Sequence, residues 1–82
     1  MASFQGFCHI QQAGISPDGR GQVNIKDAGG SFDWTTFVSA DGIGREVLAT
    51  ALTALANNKP VYAEVDDTAV WSRLTRLLVI WG

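Results

Sequence analysis

Apolar and polar residues alternate with a period of two in five stretches of the chain, and this alternation predicts β-strands. The stretches are residues 3–15, 22–26, 32–39, 61–66 and 70–81. Segments rich in Gly, Pro, Asn and Asp separate most neighbouring stretches, and these residue types favour turns because they tolerate or preset the required backbone angles. The pattern therefore predicts five strands.

The alternation also predicts which side chains of the strands face a core. In the second and fourth strands the inward residues are Val23, Ile25, Val61, Ala63 and Val65. In the third strand, one face carries Phe32, Trp34, Thr36 and Val38. A tryptophan in so small a domain usually packs in the core or in an interface, and we expect Trp34 in the core.

The first strand is long enough to bend. Phe4, Cys8 and Ile10 share one of its faces, and a glycine, either Gly6 or Gly14, is expected to supply the bulge that bends it.

A change of period marks the single helix. Between residues 43 and 57 the apolar positions recur every 3.6 residues, as in an amphipathic helix. Asp41 is suited to cap its start, and Asn57, Asn58 and Pro60 are suited to end it. The predicted apolar half of the helix comprises Ile43, Val47, Leu48, Ala51, Leu52, Ala54 and Leu55.

The order of elements is strand, strand, strand, helix, strand, strand. This order is typical of the five-stranded Greek-key OB barrel, which has one helix between strands 3 and 4. With 82 residues, the chain is expected to form one domain, residues 1–82.

The second face of the helix predicts a subunit contact. After the first turn this face is uncharged and carries the small residues Ala49, Thr50, Thr53 and Ala56, which permit close approach of another surface. The final strand is apolar on both faces near Trp81, which indicates covering from two sides. The alternative to a subunit contact on the helix is that its second face is uncharged but exposed to water.

Composition supports self-association and argues against several partners. Hydrophobic residues make up 46% of the chain and charged residues 17%, so part of the surface is expected to be covered. The net charge of −2 disfavours nucleic acid. No apolar run is long enough to span a membrane. A single cysteine and the absence of a signal-like start predict a cytoplasmic protein, or a secreted one if a leader was removed.

No residue pattern predicts catalysis, a metal site or a cofactor. Cys8 and His9 are neighbours on a strand, so their side chains point to opposite faces and cannot act together. One cysteine and one histidine cannot form a closed zinc site.

The loops carry the candidate ligand-binding residues. Trp71 follows the turn between strands 4 and 5, where OB barrels commonly bind ligands. Asp66, Asp67, Asp18 and Arg20 are expected near the same rim, although Asp66 and Asp67 are also typical of a simple turn.

Residues 45–61, followed by Trp71 and the alternating segment 73–81, carry a family resemblance. The chain resembles small bacterial OB-fold proteins similar in shape to the B subunits of AB5 toxins, including uncharacterised relatives of like size. The resemblance implies a pentamer with helices around a central pore and neighbouring barrels joined edge to edge. In toxin-type members it also implies glycan binding.

These expectations favour a non-enzymatic, oligomer-forming OB protein, with the pentamer favoured, that acts as a scaffold or ligand-binding module. One alternative is a glycan-binding protein like the toxin B subunits. The other is an OB protein that binds single-stranded nucleic acid, and its affinity should depend steeply on salt.

Overall fold

The computed structural model describes residues 3–81, which form five strands and one helix. Met1, Ala2 and Gly82 lie outside the described residues. In chain order the elements are β1 (Phe4–Ile15), β2 (Gly21–Asp27), β3 (Thr35–Ser39), α1 (Gly44–Ala56), β4 (Val61–Val65) and β5 (Arg73–Val79).

The strands close into a barrel in the order β1-β2-β3-β5-β4. Residues 4–8 of β1 pair with β4 and residues 8–15 pair with β2, so the long first strand serves both halves of the barrel. A short parallel seam between β3 and β5, at Val38–Arg73 and Ser39–Leu74, completes the circle. The predicted closed five-stranded barrel, with its helix between strands 3 and 4, is confirmed.

The bulge in β1 lies at a different residue from the two glycines expected to supply it. The register against β2 shifts between Ile10 and Gln12, which makes Gln11 the extra residue. Gly6 pairs regularly with Ala63 and Gly14 with Gln22, so the glycine prediction is wrong.

The barrel core is built from the inward positions that the alternation predicted. Val23, Ile25, Val61, Ala63 and Val65 are all buried, and Cys8 is buried beside them. The helix adds Val47, Ala51 and Ala54 to the same cluster. Leu52 was assigned to the apolar half of the helix, but its side chain is 49% exposed.

The prediction that Trp34 lies in the core is wrong. β3 begins at Thr35, and Phe37 and Ser39 point inward while Trp34 is 40% exposed. Phe32 packs against the core from the connection before β3, with its ring 5.3 Å from that of Phe37 in an edge-to-face contact. Because Phe32 precedes the strand, it does not share a strand face with Trp34.

The ends of the helix and of the last strand also differ from the prediction. Asp41 does not cap the helix; Ile43 occupies the cap position without a side-chain hydrogen bond. Asp41 instead forms an ion pair with Arg20, with 2.6 Å between the nitrogen and the oxygen. β5 spans Arg73–Val79 rather than residues 70–81, because the chain is still turning at Trp71.

A buried carboxylate holds the turn between β2 and β3. Asp27 accepts hydrogen bonds from the backbone N–H groups of Gly29 and Ser31, at 3.0 and 2.6 Å. Burial raises the pKa of the Asp27 carboxyl, but these hydrogen bonds outweigh burial and hold its pKa below the ordinary value. The folded state therefore favours the ionised form of the Asp27 carboxyl.

We expect Asp27→Asn to destabilise the fold at neutral pH by about 1.5 kcal/mol, because one charged acceptor is lost. A lowered pKa in the folded state contributes stability that is present above the unfolded pKa and is lost as pH falls through the folded pKa. The difference between wild type and Asp27→Asn should therefore shrink below about pH 4. Urea unfolding at a series of pH values measures it, with exposed Asp66→Asn as the control. A difference that stays constant into acid would contradict this role for Asp27.

Candidate binding surfaces

Asp18 and Arg20 lie together in the β1–β2 turn and form part of a chain of charges. Arg20 Nε lies 3.1 Å from the Asp18 carboxylate, and its guanidinium also pairs with Asp41. Asp41 in turn lies 3.9 Å from Arg73 at the start of β5. A hydrogen bond donated by the Ser16 hydroxyl is the main cause that lowers the pKa of Asp18. The two carboxylates and two guanidinium groups therefore neutralise one another.

Asp66 does not line the same depression as Asp18 and Arg20. Asp66 lines a separate depression with Phe4, Gln5 and Glu64, whereas Asp18 and Arg20 line one beside the start of α1. Asp67 accepts a hydrogen bond of 2.7 Å from the Thr68 N–H, in the segment between β4 and β5. Asp66 and the pair of Asp18 and Arg20 thus line two different places on the barrel.

Trp71 is held in a backbone conformation that is unusual for a bulky residue. Its φ is +68°, in the left-handed region, and its side chain is 58% exposed. Its N–H donates to the Thr36 carbonyl at 2.7 Å, which ties this turn to β3. Such a conformation costs about 1–3 kcal/mol and is typical of functional sites. The backbone is therefore strained at Trp71, although the large aromatic side chain of this residue remains exposed to solvent.

A row of three uncharged polar side chains crosses the outer face of β1, β2 and β3. The Gln11 amide nitrogen donates to Asn24 Oδ1 at 2.7 Å, and Asn24 Nδ2 donates to Thr36 Oγ1 at 3.0 Å. We call Gln11, Asn24 and Thr36 the polar ladder. Sequence reasoning missed it, because only the strand register and the bulge at Gln11 bring the three side chains together.

Two exposed tryptophans lie close to Thr36, the β3 member of the polar ladder, one through the chain and one through a backbone hydrogen bond. Trp34 comes two residues before Thr36 and lies against Lys26, whose Nζ is 5.8 Å from the centre of the indole ring. Trp71 reaches Thr36 through its backbone. A surface depression of about 400 Å³ overlaps the ladder, and Gln11, Gln22, Asn24 and Thr36 line part of it.

The predicted interface residues all lie at the surface of the single chain. Ala49, Thr53 and Ala56 are exposed, Thr50 is partly exposed, and Trp81 is 59% exposed. On the outer face of β1, β4 and β5, Phe7 and Tyr62 make an edge-to-face contact at 5.8 Å, and Tyr62 is paired with exposed Leu78. The barrel therefore leaves apolar side chains uncovered on several sides.

Several strand segments leave one backbone edge without a strand partner, and residues 4–7 of β1 and 35–37 of β3 are among them. Two longer edges lie on different strands. Within residues 3–81, every paired residue of the segment 9–15 of β1 pairs with β2 alone, and every paired residue of the segment 75–79 of β5 pairs with β4 alone. Such edges offer free N–H and C=O groups to another strand. The two edges belong to different strands of the barrel.

Cys8 and His9 point to opposite faces, as predicted. Cys8 is buried and His9 is exposed. Burial, with a smaller contribution from Asp27, raises the pKa of the Cys8 thiol to about 12, so the thiol is protonated at neutral pH. Among the described residues, no group of three or more His, Cys, Asp or Glu side chains is placed to hold a metal ion.

No protein-family model, curated protein or solved structure matches this chain. Across residues 3–81, no helix has the length and apolar character needed to cross a membrane.

Proposed function

We propose that the chain is a non-enzymatic OB-type barrel that assembles into a ring of identical copies and serves as a scaffold or ligand-binding module. The observation that carries this proposal is the pair of strand edges without partners, in residues 9–15 and 75–79. Because the two edges differ, a contact between them is head to tail, and head-to-tail contacts close into rings when the rotation allows. Five copies is the number that the resemblance to toxin B subunits implies.

The outer face of the helix supports the same proposal. Beyond the first turn it presents Ala49, Thr53 and Ala56 to solvent with no charged side chain among them. A helix face that stays in water usually carries several charges. Small uncharged residues suit a face that approaches copies of itself around a central axis.

We expect wild-type protein at micromolar concentration to elute as a single species with several times the mass of one chain, measured by light scattering after size exclusion. Thr53→Lys should dissociate this species, because it places a charge on every copy of the helix face, while the circular dichroism of the barrel stays unchanged. Ala28→Lys, at an exposed position of the β2–β3 turn, is the matched control and should leave the mass unchanged.

Hydrogen exchange separates edge pairing from other contacts. Amides in residues 9–15 and 75–79 should exchange more slowly in the assembled protein than in dissociated Thr53→Lys. Wild-type protein with the mass of one chain at micromolar concentration would refute the assembly.

A second candidate function is glycan binding, and the exposed Trp71 side chain on its strained turn favours it. A flat aromatic ring can stack on a sugar as well as on a base. Binding to single-stranded nucleic acid has weaker support, because Arg20 and Arg73 are already paired with acidic side chains.

A further inference from the structure

We propose that the outer face of β1, β4 and β5 docks on the surface of a bilayer that contains anionic phospholipids. The contact residues are an apolar row, Phe7, Tyr62 and Leu78, and two lysines that border it, Lys26 and Lys59. We call these residues the sheet-face patch. The inference goes beyond the proposed function, and it does not depend on ring assembly.

The centre of the sheet-face patch is an apolar row that crosses three strands. Phe7 on β1 pairs with Tyr62 on β4, and Tyr62 pairs with Leu78 on β5. Residues directly opposite each other on paired strands project from the same face of the sheet. Phe7 is 59% exposed and Leu78 is 41% exposed. The barrel therefore presents a continuous row of apolar side chains to its surroundings.

Two lysines without acidic partners border this row. Lys26 lies on the outer face of β2 and pairs with His9, which comes two residues after Phe7 on the same face of β1. Lys59 lines a surface depression together with His9. Among the described residues, neither lysine forms an ion pair. Lys26 Nζ lies 5.8 Å from the centre of the Trp34 ring, and this contact leaves its charge unneutralised.

The charge of this face is opposite in sign to that of the whole chain. The chain has eight acidic residues and a net charge of −2. Only one of these acidic residues, Glu64, lies in β1, β4 or β5, and it is paired with Arg76 at 3.4 Å. Asp27 follows Lys26 along β2, but it is buried and bound to the amides of its own turn. The two lysines therefore give this face a positive charge that complements an anionic partner.

A bilayer accounts for the apolar row and the lysines together. Aromatic side chains with a polar tip, such as that of Tyr62, are enriched where a membrane meets water. Lysines next to them are attracted to anionic headgroups. A second copy of the chain fits less well, because two such faces would bring like charges together. Three partly exposed side chains also supply far less than the roughly 800 Å² per partner that a stable protein interface buries.

The sheet-face patch stays accessible if the chains form a ring. Strand edges pair through backbone groups in the plane of the sheet, whereas the side chains of this patch stand roughly perpendicular to it. Each copy in a ring would therefore offer one patch.

The experiment measures flotation of the wild-type chain with phosphatidylcholine vesicles that contain about 30% phosphatidylglycerol or none. We expect the chain to bind the anionic vesicles at least about fivefold more tightly than the neutral ones at low salt. Binding to the anionic vesicles should weaken between about 50 and 200 mM salt, because salt screens the attraction between lysines and headgroups.

Phe7→Ser and Leu78→Ser should each weaken binding to the anionic vesicles by about tenfold or more, because each removes apolar surface that leaves water on docking. Lys59→Gln should weaken it by about fivefold. Circular dichroism checks the fold of each variant. Since the two serine variants lie on different strands, either one tests the apolar row if the other disturbs the barrel.

Two matched controls change similar side chains elsewhere on the surface. Val70→Ser removes an exposed apolar side chain between β4 and β5, and Arg45→Gln removes an exposed cation in the first turn of α1. Both variants should bind the anionic vesicles within about twofold of the wild type. In NMR spectra, a paramagnetic lipid should broaden the amide signals around Phe7, Tyr62 and Leu78 more than those of α1.

Three results would overturn the inference. They are no binding of the wild type to anionic vesicles, the same loss in Val70→Ser as in Phe7→Ser, and tighter binding to soluble polyglutamate, which would assign the lysines to an acidic protein. Light scattering without vesicles keeps the two proposals apart. A monomer that binds anionic vesicles would reject the ring and retain this surface, and a ring that does not bind them would do the reverse.

Discussion

Phe37→Ala is expected to lower the free energy of unfolding by about 3–5 kcal/mol. Phe37 is the largest fully buried side chain, and it lies at the centre of β3 with its ring against Phe32. Removing a buried phenylalanine costs about 3–5 kcal/mol, from lost burial and from the cavity left behind. A domain of this length has a total stability of roughly 4–12 kcal/mol. The substitution thus removes a large part of the stability.

Urea unfolding followed by circular dichroism measures this effect. Phe37→Leu fills most of the same volume and should recover more than half of the loss. Phe7→Ala deletes the same side chain at an exposed position and should cost about 1 kcal/mol or less. If Phe37→Ala cost no more than Phe7→Ala, the inward orientation of Phe37 would be wrong.

Gly21→Ala should be the second most damaging substitution, at about 3 kcal/mol. A Cβ atom at Gly21 would lie 2.7 Å from the Gly44 carbonyl oxygen, well inside van der Waals contact. The obstacle is backbone at the start of the helix, so it cannot rotate away. The shift needed would also disturb the hydrogen bond of 3.0 Å from the Gly21 N–H to the Ser39 hydroxyl.

Gly14→Ala is the control for Gly21→Ala, because nothing lies within 4 Å of a Cβ at that position and the strand backbone there is ordinary. Its expected effect is a stabilisation of about 0.5 kcal/mol, from the lower entropy of the unfolded chain. Both variants can be compared by thermal melting. Equal melting temperatures would show that the helix does not pack on β2 as described.

The strand and helix pattern was predictable because each element buries one regular face. β2 and β4 alternate strictly, and their inward residues Val23, Ile25, Val61 and Val65 are those predicted. β3 was misread because both of its faces carry apolar side chains, so alternation alone could not choose between Phe37 and Trp34. The ring contact between Phe37 and Phe32, which precedes β3, identifies Phe37 as the residue that points into the core.

Of the candidate binding residues, the sequence could predict only those that are recognisable one at a time from their position in the chain. Trp71 was identified from its place after a turn, and it is exposed there. The polar ladder was not identified, because its three side chains come from three strands and meet through a register that includes a bulge. An Asp two residues before an apolar helical pattern favours helix capping, and the sequence gives no sign of the long-range ion pair that Asp41 forms with Arg20.

The short seam between β3 and β5 links the position of Trp71 to the integrity of the barrel. Only two residue pairs form the parallel ladder, and the seam is extended by the Trp71 N–H on Thr36 and the Val38 N–H on Ser72. Trp71, whose side chain is exposed to solvent, therefore also donates a backbone hydrogen bond that helps to close the barrel. Any molecule that immobilises Trp71 on binding would stabilise the seam between β3 and β5. Conversely, a change that destabilises this seam would weaken the binding of such a molecule.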